Sequence, residues 1–517
     1  MKYNLFLFEG KSSMRRIVWF LGSLLTCSLG MAETVVIIGA GPSGIVAAKS
    51  AIESGLKPTV LEKNSDIGGV WDPKQGSTWD TMRTNLSKFS CMFSDFPWKA
   101  SVGDFPLATE MHTYLQDYIT HFKLQPFINL NTEVVSVKFN AKNQKWKVLY
   151  RQKGELIEQE FTYVMVATGF FSQPLMPSVD ISRFSGTILH SKEYKSGDFL
   201  KGKEVVVVGG AFSGVEIAAE VAGVAKKVTH VSTKKFWVLP RYLMDGSLGK
   251  KLPLDLVFYK RTPPSLLPLQ QINQGTHQYF SKLSRQGEIS DKLFINKEAY
   301  TSYPFVVISD AYLDQVEEGK VAIYDSPVVS MEEGGAVLED GTKIGADVVI
   351  FCTGFATYLP YFEESLLEEM EFEAKDQFQP LLLHEGVFHP KLPNIAFIGM
   401  YRGPYFGVME LQARWASMAF ADKKQYYPGE EELEEGIKKE RSLRELDPRP
   451  QFPHGNYVAF ADALAKKIQA LPLFEEKDPL SGLAIIPSQY RLQGPHSNRE
   501  AALAILKEYE QFVLDSP

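Results

Sequence analysis

Two glycine turns, each set between an apolar strand and a helix, limit what this chain can fold into. The first is "VVIIGAGPSG", residues 35–44, and the second is "VVVVGGAFSG", residues 205–214. An apolar run bounded by glycine reads as a strand buried on both faces. Each turn opens a helix, and each helix leads to another apolar strand, "KPTVLEK" in the first case and "KKVTHVST" in the second. Strand, turn, helix and strand within about thirty residues make a βαβ unit. Two such units predict an α/β fold with two doubly wound, Rossmann-like domains. The stretch "TEVVSVKFNAKNQKWKVLYRQKGELIEQEFTYVMVATGF" lies between them and alternates as antiparallel strands do. A loose repeat of it, "VAIYDSPVVSMEEGGAVLEDGTKIGADVVIFCTGF", follows the second unit. The expected division is 33–172 for the first part of one domain, 173–329 for a second domain inserted in it, and 330–517 for the return of the first with a C-terminal helical region.

The first turn places Gly39, Gly41 and Gly44 as G-x-G-x-x-G, with Ala40, Pro42 and Ser43 between them. One glycine allows the tight turn, one lets a pyrophosphate approach the backbone, and one lets helix and strand pack closely. The helix N-terminus offers free N–H groups and the positive end of its dipole to an anion. Glu62 closes the next strand, where a carboxylate binds ribose hydroxyls. This is the chemistry of a dinucleotide cradle. The second turn reads G-x-A-x-x-G, with Gly209, Ala211 and Gly214, and its helix begins with Ser213, Val215 and Glu216. Its second strand ends without an acid. Ser232, Thr233, Lys234 and Lys235 stand where Glu62 stood. Hydroxyls and a lysine welcome a 2′-phosphate that a carboxylate repels, so this cradle points to NADPH. Two cradles of unlike ribose chemistry suggest one enzyme that holds FAD and NADPH together and aligns the nicotinamide with the flavin for hydride transfer.

Between the cradles lies "FSGTILHSKEY", which fixes Phe184, Gly186, His190 and Tyr194 as F-x-G-x-x-x-H-x-x-x-Y. This motif, between two dinucleotide turns, resembles the identifying sequence of flavin-containing monooxygenases. The resemblance spans residues 34 to about 420. "DIGGVWD" is similar to the family's G-G-x-W segment and puts Gly69, Val70 and Trp71 by the flavin. "MRTNLSKFSCMFSDFPW" resembles its T-N-x-x-K and D-F-P stretch, with Thr84, Asn85 and Leu86 in the flavin-facing part. "VATGFFSQPLMP" and "FCTGF" resemble its domain-crossing strands, "STKKFWVLPR" its NADPH-phosphate segment, and "ELQARW" its flavin-side helix.

The resemblance implies an NADPH-dependent monooxygenase that forms a C4a-hydroperoxyflavin with O2. One oxygen then passes to a soft nitrogen or sulfur of a small amine or thioether. It implies Asn85 as the catalytic hydrogen-bond donor. It implies that the helix opening at "MELQARW" directs its N-terminus at the flavin. His190 itself reads as a structural residue, able to carry a hydrogen bond across to the neighbouring segment. Related Baeyer–Villiger enzymes carry tryptophan where Tyr194 stands, which favours N- or S-oxygenation over ketone insertion. Ala211 departs from the family pattern, its vertebrate C-terminal membrane anchor has no counterpart, and nothing after residue 420 is familiar. A non-oxygenating FAD/NADPH electron-transfer protein is the other reading. A pyridine nucleotide–disulfide reductase would need a C-x-x-C pair, and Cys27, Cys91 and Cys352 are far apart.

Net charge is −7 and no block is dense in lysine or arginine, which argues against nucleic acid as a partner. Neither the three cysteines nor the nine histidines have metal-ligand spacing, so no metal is expected. A homodimer is compatible with all of this. "GEEELEEGIKKERSLRELD" reads as a solvated helix. "MRRIVWFLGSLLTCSLGMAE" has the layout of a secretory signal cleaved after Ala32, which would send the protein to an exported compartment. An uncleaved anchor, or a cytoplasmic enzyme starting at Met31, are the competing readings.

Overall fold

The computed structural model describes residues 33–403, 405–473 and 480–517. The signal expected over residues 1–32 lies outside them.

Strand β1 (Thr34–Ile38) runs into helix α1 (Pro42–Glu53) and strand β2 (Lys57–Leu61). The second unit is β3 (Glu204–Val208), α2 (Phe212–Val221) and β4 (Lys227–Val231). β1 and β3 are buried almost end to end, as their unbroken valine and isoleucine runs require. Each is the middle strand of a five-stranded sheet. Across the first sheet the order is 395–397, 163–166, β1, β2 and 128–129, all parallel. Across the second it is 187–190, 348–351, β3, β4 and 321–324, again all parallel.

The two sheets are the same layout with one difference in chain order. The edge strand beside 163–166, Ile395–Phe397, comes last in the chain among the strands of the first sheet, whereas its counterpart, Thr187–His190, comes before the second glycine turn. Each sheet also has a three-stranded antiparallel partner, 132–140, 145–152 and 155–161 in one case and 328–332, 335–338 and 343–345 in the other. The second antiparallel unit and strand 348–351 were expected in the return of the first domain, beyond residue 329. Strand 348–351 is instead hydrogen-bonded beside β3, and the chain rejoins the first sheet only at Ile395. The reason is visible in the sequence pattern: 321–351 repeats 132–166, and each repeat completes the sheet it follows.

The chain crosses between the sheets twice, and the two crossings pair with each other. Gln173–Pro174 lies antiparallel to Phe355–Ala356. Thr353 donates its hydroxyl to the Leu175 carbonyl at 2.6 Å. A long helix, α3 (Tyr405–Ala421), packs along α1 and is buried over nearly its whole length. It starts a turn earlier than "MELQARW" suggested. The charged helix at Glu430–Arg444 forms as expected, with one face buried through Leu433, Ile437 and Glu440. No described helix is long and apolar enough to cross a membrane.

Candidate functional site

The first glycine turn is built by contacts that exclude any side chain. A Cβ on Gly44 would sit 1.9 Å from the Gly39 carbonyl oxygen, so α1 begins directly under the turn. Gly39 itself has φ +104°, and a Cβ there would meet the Ala167 carbonyl oxygen at 2.8 Å. Gly41, Pro42, Ser43 and Ala40 shape the mouth of the cradle, and no side chain caps α1. Its first-turn N–H groups therefore face outward for an anion. The "GGVW" turn lies on this mouth: the Gly68 N–H donates to the Ala40 carbonyl at 2.9 Å, and a Cβ on Gly41 would be 3.5 Å from the Gly69 Cα. Val70 and Trp71 continue that turn, half-buried. Glu62 is buried at the end of β2 and accepts the Ala40 N–H at 2.7 Å and the Asn64 N–H at 2.9 Å. These two bonds fix a carboxylate at the end of β2, beside the glycine turn. Ser43 donates to the Met409 sulfur at 3.7 Å, joining the first turn of α1 to α3.

The second turn repeats the construction. A Cβ on Gly214 would sit 1.8 Å from the Gly209 carbonyl oxygen. Ala211 occupies the place of Gly41 with φ −131° and ψ −174°, an extended conformation like that of Gly41 at −72° and −177°. Alanine therefore adopts this backbone without strain. α2 has no side-chain cap, and Ser213 and Val215 follow in its first turn. His230 lies beneath, with Nε2 2.9 Å from the Gly209 carbonyl and Nδ1 2.6 Å from the Tyr312 hydroxyl. Burial pushes its pKa down to about 4, so it supports the turn as a neutral ring. Gly210 escaped the sequence reading. A Cβ there would be 1.9 Å from Ser232 Oγ and 3.2 Å from the Phe236 ring, so a side chain at this place would displace the Ser232 hydroxyl at the end of β4.

At that end Ser232 is buried and donates to the Lys234 carbonyl at 3.0 Å, while Thr233 is exposed. The two lysines differ. Lys235 donates to the Lys292 carbonyl at 2.7 Å and lies 3.4 Å from Asp325, which Lys292 also pairs at 3.0 Å. Lys234 has no carboxylate partner among the described residues. Its ammonium lies over the rings of Phe305 and Phe378, at 5.5 and 5.7 Å. Desolvation there, and then the charge of Arg402, hold its pKa below the usual lysine range. Arg402 rests on the same Phe378 ring at 4.9 Å. Two cations around one ring fit an anion such as a 2′-phosphate. Both cradles thus fit dinucleotides, with a fixed acid at the end of one second strand and, at the end of the other, a lysine that has no carboxylate partner among the described residues.

The connector motif latches the two sheets. A Cβ on Gly186 would meet the Asp347 carbonyl oxygen at 2.4 Å. His190 is buried; its Nε2 donates to the Gly354 carbonyl at 2.9 Å and its Nδ1 accepts the Lys192 N–H at 3.2 Å. Those bonds fix the neutral tautomer, and burial lowers its pKa. The ring is a pin between crossing segments. Tyr194, fully buried, donates to Glu220 of α2 at 2.9 Å, and Glu220 also accepts from Trp79 and Thr81. The segment leading to Asn85 is thereby tied to the second cradle's helix.

Asn85 itself is half-buried, and its amide has no hydrogen-bond partner among the described residues. Its neighbours are held on both sides. The Thr84 N–H donates to the Pro106 carbonyl at 2.9 Å, and the Thr84 hydroxyl to the Leu86 carbonyl at 2.7 Å. Arg241 donates to the Thr84 carbonyl at 3.3 Å and to Glu216 of α2 at 2.8 Å. Glu216, expected at the nucleotide, is thus an anchor for Arg241.

Residues 32–514 match the flavin-binding monooxygenase-like family. The chain belongs to this family. It is 31% identical over 520 residues to an N-oxide-forming dimethylaniline monooxygenase 2 of Macaca mulatta, covering 93% of both chains. It is 30% identical over 509 residues to the corresponding monooxygenase 4 of Homo sapiens, covering 93% of this chain and 88% of that one. The fold is shared with an S-allyl-L-cysteine S-oxygenase from Allium sativum, at TM-score 0.62 and 21% identity over 93% of this chain and 99% of the other. It is shared as well with a cyclohexanone monooxygenase bound to epsilon-caprolactone, at TM-score 0.64 and 18% identity over 84% and 98% of the two chains. This flavin-binding monooxygenase-like chain is an FAD-dependent NADPH monooxygenase. Among its described residues no group of three or more histidine, cysteine or acidic side chains is placed to hold a metal ion.

Proposed function

We propose that FAD lies on the first cradle, NADPH lies on the second, and one atom of O2 is transferred to a nucleophilic nitrogen or sulfur of a small molecule. NADPH, a proton, O2 and the substrate give NADP⁺, water and the N- or S-oxide. Flavin, when bound, supplies the redox chemistry that activates oxygen. The protein's part is to hold and discriminate. Gly39, Gly41, Gly44 and the α1 N-terminus receive one pyrophosphate, and Glu62 receives its ribose. Gly209, Gly210, Gly214 and the α2 N-terminus receive the other, and Lys234 with Ser232 reads the 2′-phosphate. Asn85 offers its amide N–H where charge develops during oxygen transfer. The observation that carries this reading is the contrast between the two strand ends: Glu62 fixed by two N–H groups, Lys234 without a carboxylate partner among the described residues. The division of labour between the domains follows the two sheets.

The test is stopped-flow absorbance of the flavin-loaded protein. NADPH should bleach the flavin far faster than NADH. Reoxidation by air should then yield oxygenated product with an amine or a thioether panel. Bleaching without oxygenated product from any nucleophile would leave an electron-transfer protein instead.

A further inference from the structure

Arg241 accounts for one side of Asn85. The other side is held by Asp255, from the short helix Leu254–Phe258 in the insertion after the second cradle. Asp255 is fully buried. One carboxylate oxygen accepts the Ser87 N–H at 3.0 Å, and the other accepts the hydroxyls of Ser87 and Ser90, each at 2.6 Å. Ser87 and Ser90 are buried too. No cation pairs with this carboxylate among the described residues, and burial raises its pKa. An acid in such a place is costly unless its hydrogen bonds are used, and an apolar residue would fill the space more cheaply. The helix is coupled to the other anchor, since the Leu254 N–H donates to the Arg241 carbonyl at 2.8 Å. The backbone is thus gripped at Thr84 and again at Ser87, with Asn85 and Leu86 between the grips.

We propose that Asp255 is a positioning residue for Asn85: by fixing the turn Ser87–Ser90 it aims an otherwise unpartnered amide, and with Arg241 it ties that aim to the helix of the second cradle. This rests on the reading of Asn85 given above. A donor is effective in oxygen transfer only if it is held in place before charge develops. Asp255 touches no reacting atom; it acts through the backbone of residues 84–87.

The experiment compares Asp255→Ala, Asp255→Asn, Asn85→Ala and the double variant Asp255→Ala/Asn85→Ala as flavin-loaded full-length proteins. Three quantities are read: oxygenated product per NADPH consumed, normalised to bound flavin; NADPH-driven bleaching rate; and amide hydrogen exchange across residues 84–91. Asp255→Ala should bleach at nearly the normal rate, lose coupling roughly three- to tenfold, and lose protection at Ser87. The double variant should be no less coupled than Asn85→Ala. Asp255→Asn keeps an acceptor for the Ser87 N–H and should recover most of the coupling. If Asp255→Ala folds too poorly to load flavin, Ser90→Ala removes one of the three bonds and should uncouple partially. Normal coupling per bound flavin in Asp255→Ala, beside an uncoupled Asn85→Ala, overturns the role of Asp255 alone, even if thermal stability falls. An Asn85→Ala protein that stays coupled overturns the Asn85 reading, and this proposal with it.

Discussion

Lys234 and Lys235 are adjacent in sequence and differ in what surrounds them. Lys235 shares Asp325 with Lys292, whereas Lys234 faces aromatic rings and another cation. Lys234→Ala is therefore expected to lower kcat/KM for NADPH by about ten- to over a hundredfold, as loss of a charged hydrogen bond of about 1.5–3 kcal/mol implies. NADH use should barely change. Lys235→Ala should have the smaller effect on that ratio, and steady-state kinetics with both nucleotides decides. Asn85→Ala is expected to leave flavin content and bleaching intact while product per NADPH falls and hydrogen peroxide is released. Loss of a donor at a developing charge costs about 2.7–4 kcal/mol. The free amide argues against a turn-capping role; product per NADPH at equal bound flavin is the measurement. The places of Glu62 and Lys234 at the ends of their strands were readable in sequence because each stands about twenty residues from its glycine turn, within one βαβ unit. Asp255 and Arg402 were not, since what matters for each is a contact with residues from another part of the chain.

At the scale of elements, the substitution that set the second cradle apart has little structural consequence. Ala211 has an extended backbone and is exposed, so Ala211→Gly should shift stability by no more than about 1 kcal/mol, through the entropy of the unfolded chain. Gly214 is different. Its missing side chain lets α2 start on the Gly209 carbonyl, and a methyl at 1.8 Å forces helix and strand apart. Gly214→Ala is expected to abolish rapid bleaching by NADPH while the first cradle keeps its flavin, which titration with NADPH and a flavin absorbance spectrum separate. Loss of flavin together with nucleotide binding would show that the two cradles do not fail independently. The two central βαβ units and the antiparallel ribbons were legible because apolar runs and alternation are local signals. The edge strands were harder. Thr187–His190 and Ile395–Phe397 hold matching places in the two sheets but come at opposite ends of their chain order, so no repeat in the sequence marks them as counterparts.

The whole molecule depends on the segment that the sequence left unread. Arg491, fully buried, reaches back into the first domain, where Glu53 of α1 is 3.2 Å away, Glu410 of α3 3.1 Å, Asp95 3.7 Å and the Ser94 hydroxyl 2.9 Å. Ser94 and Asp95 lie in the same stretch as Asn85, so the C-terminal segment braces that stretch from behind. Partners 81 to 438 residues apart leave no local trace. Burial pushes the carboxyls of Asp95 and Glu53 upward, but Arg491 and Lys49 outweigh it and hold both below the ordinary carboxylate range. Their contribution to stability is complete above the unfolded pKa and is lost as the pH falls through the folded one. Arg491→Leu removes one cation and leaves several acids buried around an apolar side chain, which costs about 3–5 kcal/mol near neutral pH. Without Arg491 the pKa values of Asp95 and Glu53 rise, so protonation relieves the variant at a pH where the wild type gains nothing. The stability gap between variant and wild type should therefore be widest at pH 7 to 8 and narrow toward pH 5. Denaturant unfolding of both proteins at these pH values measures it. A gap that stays constant with pH would mean that Arg491 acts through packing alone, and the network of charges would no longer explain why the C-terminal segment is held in the core.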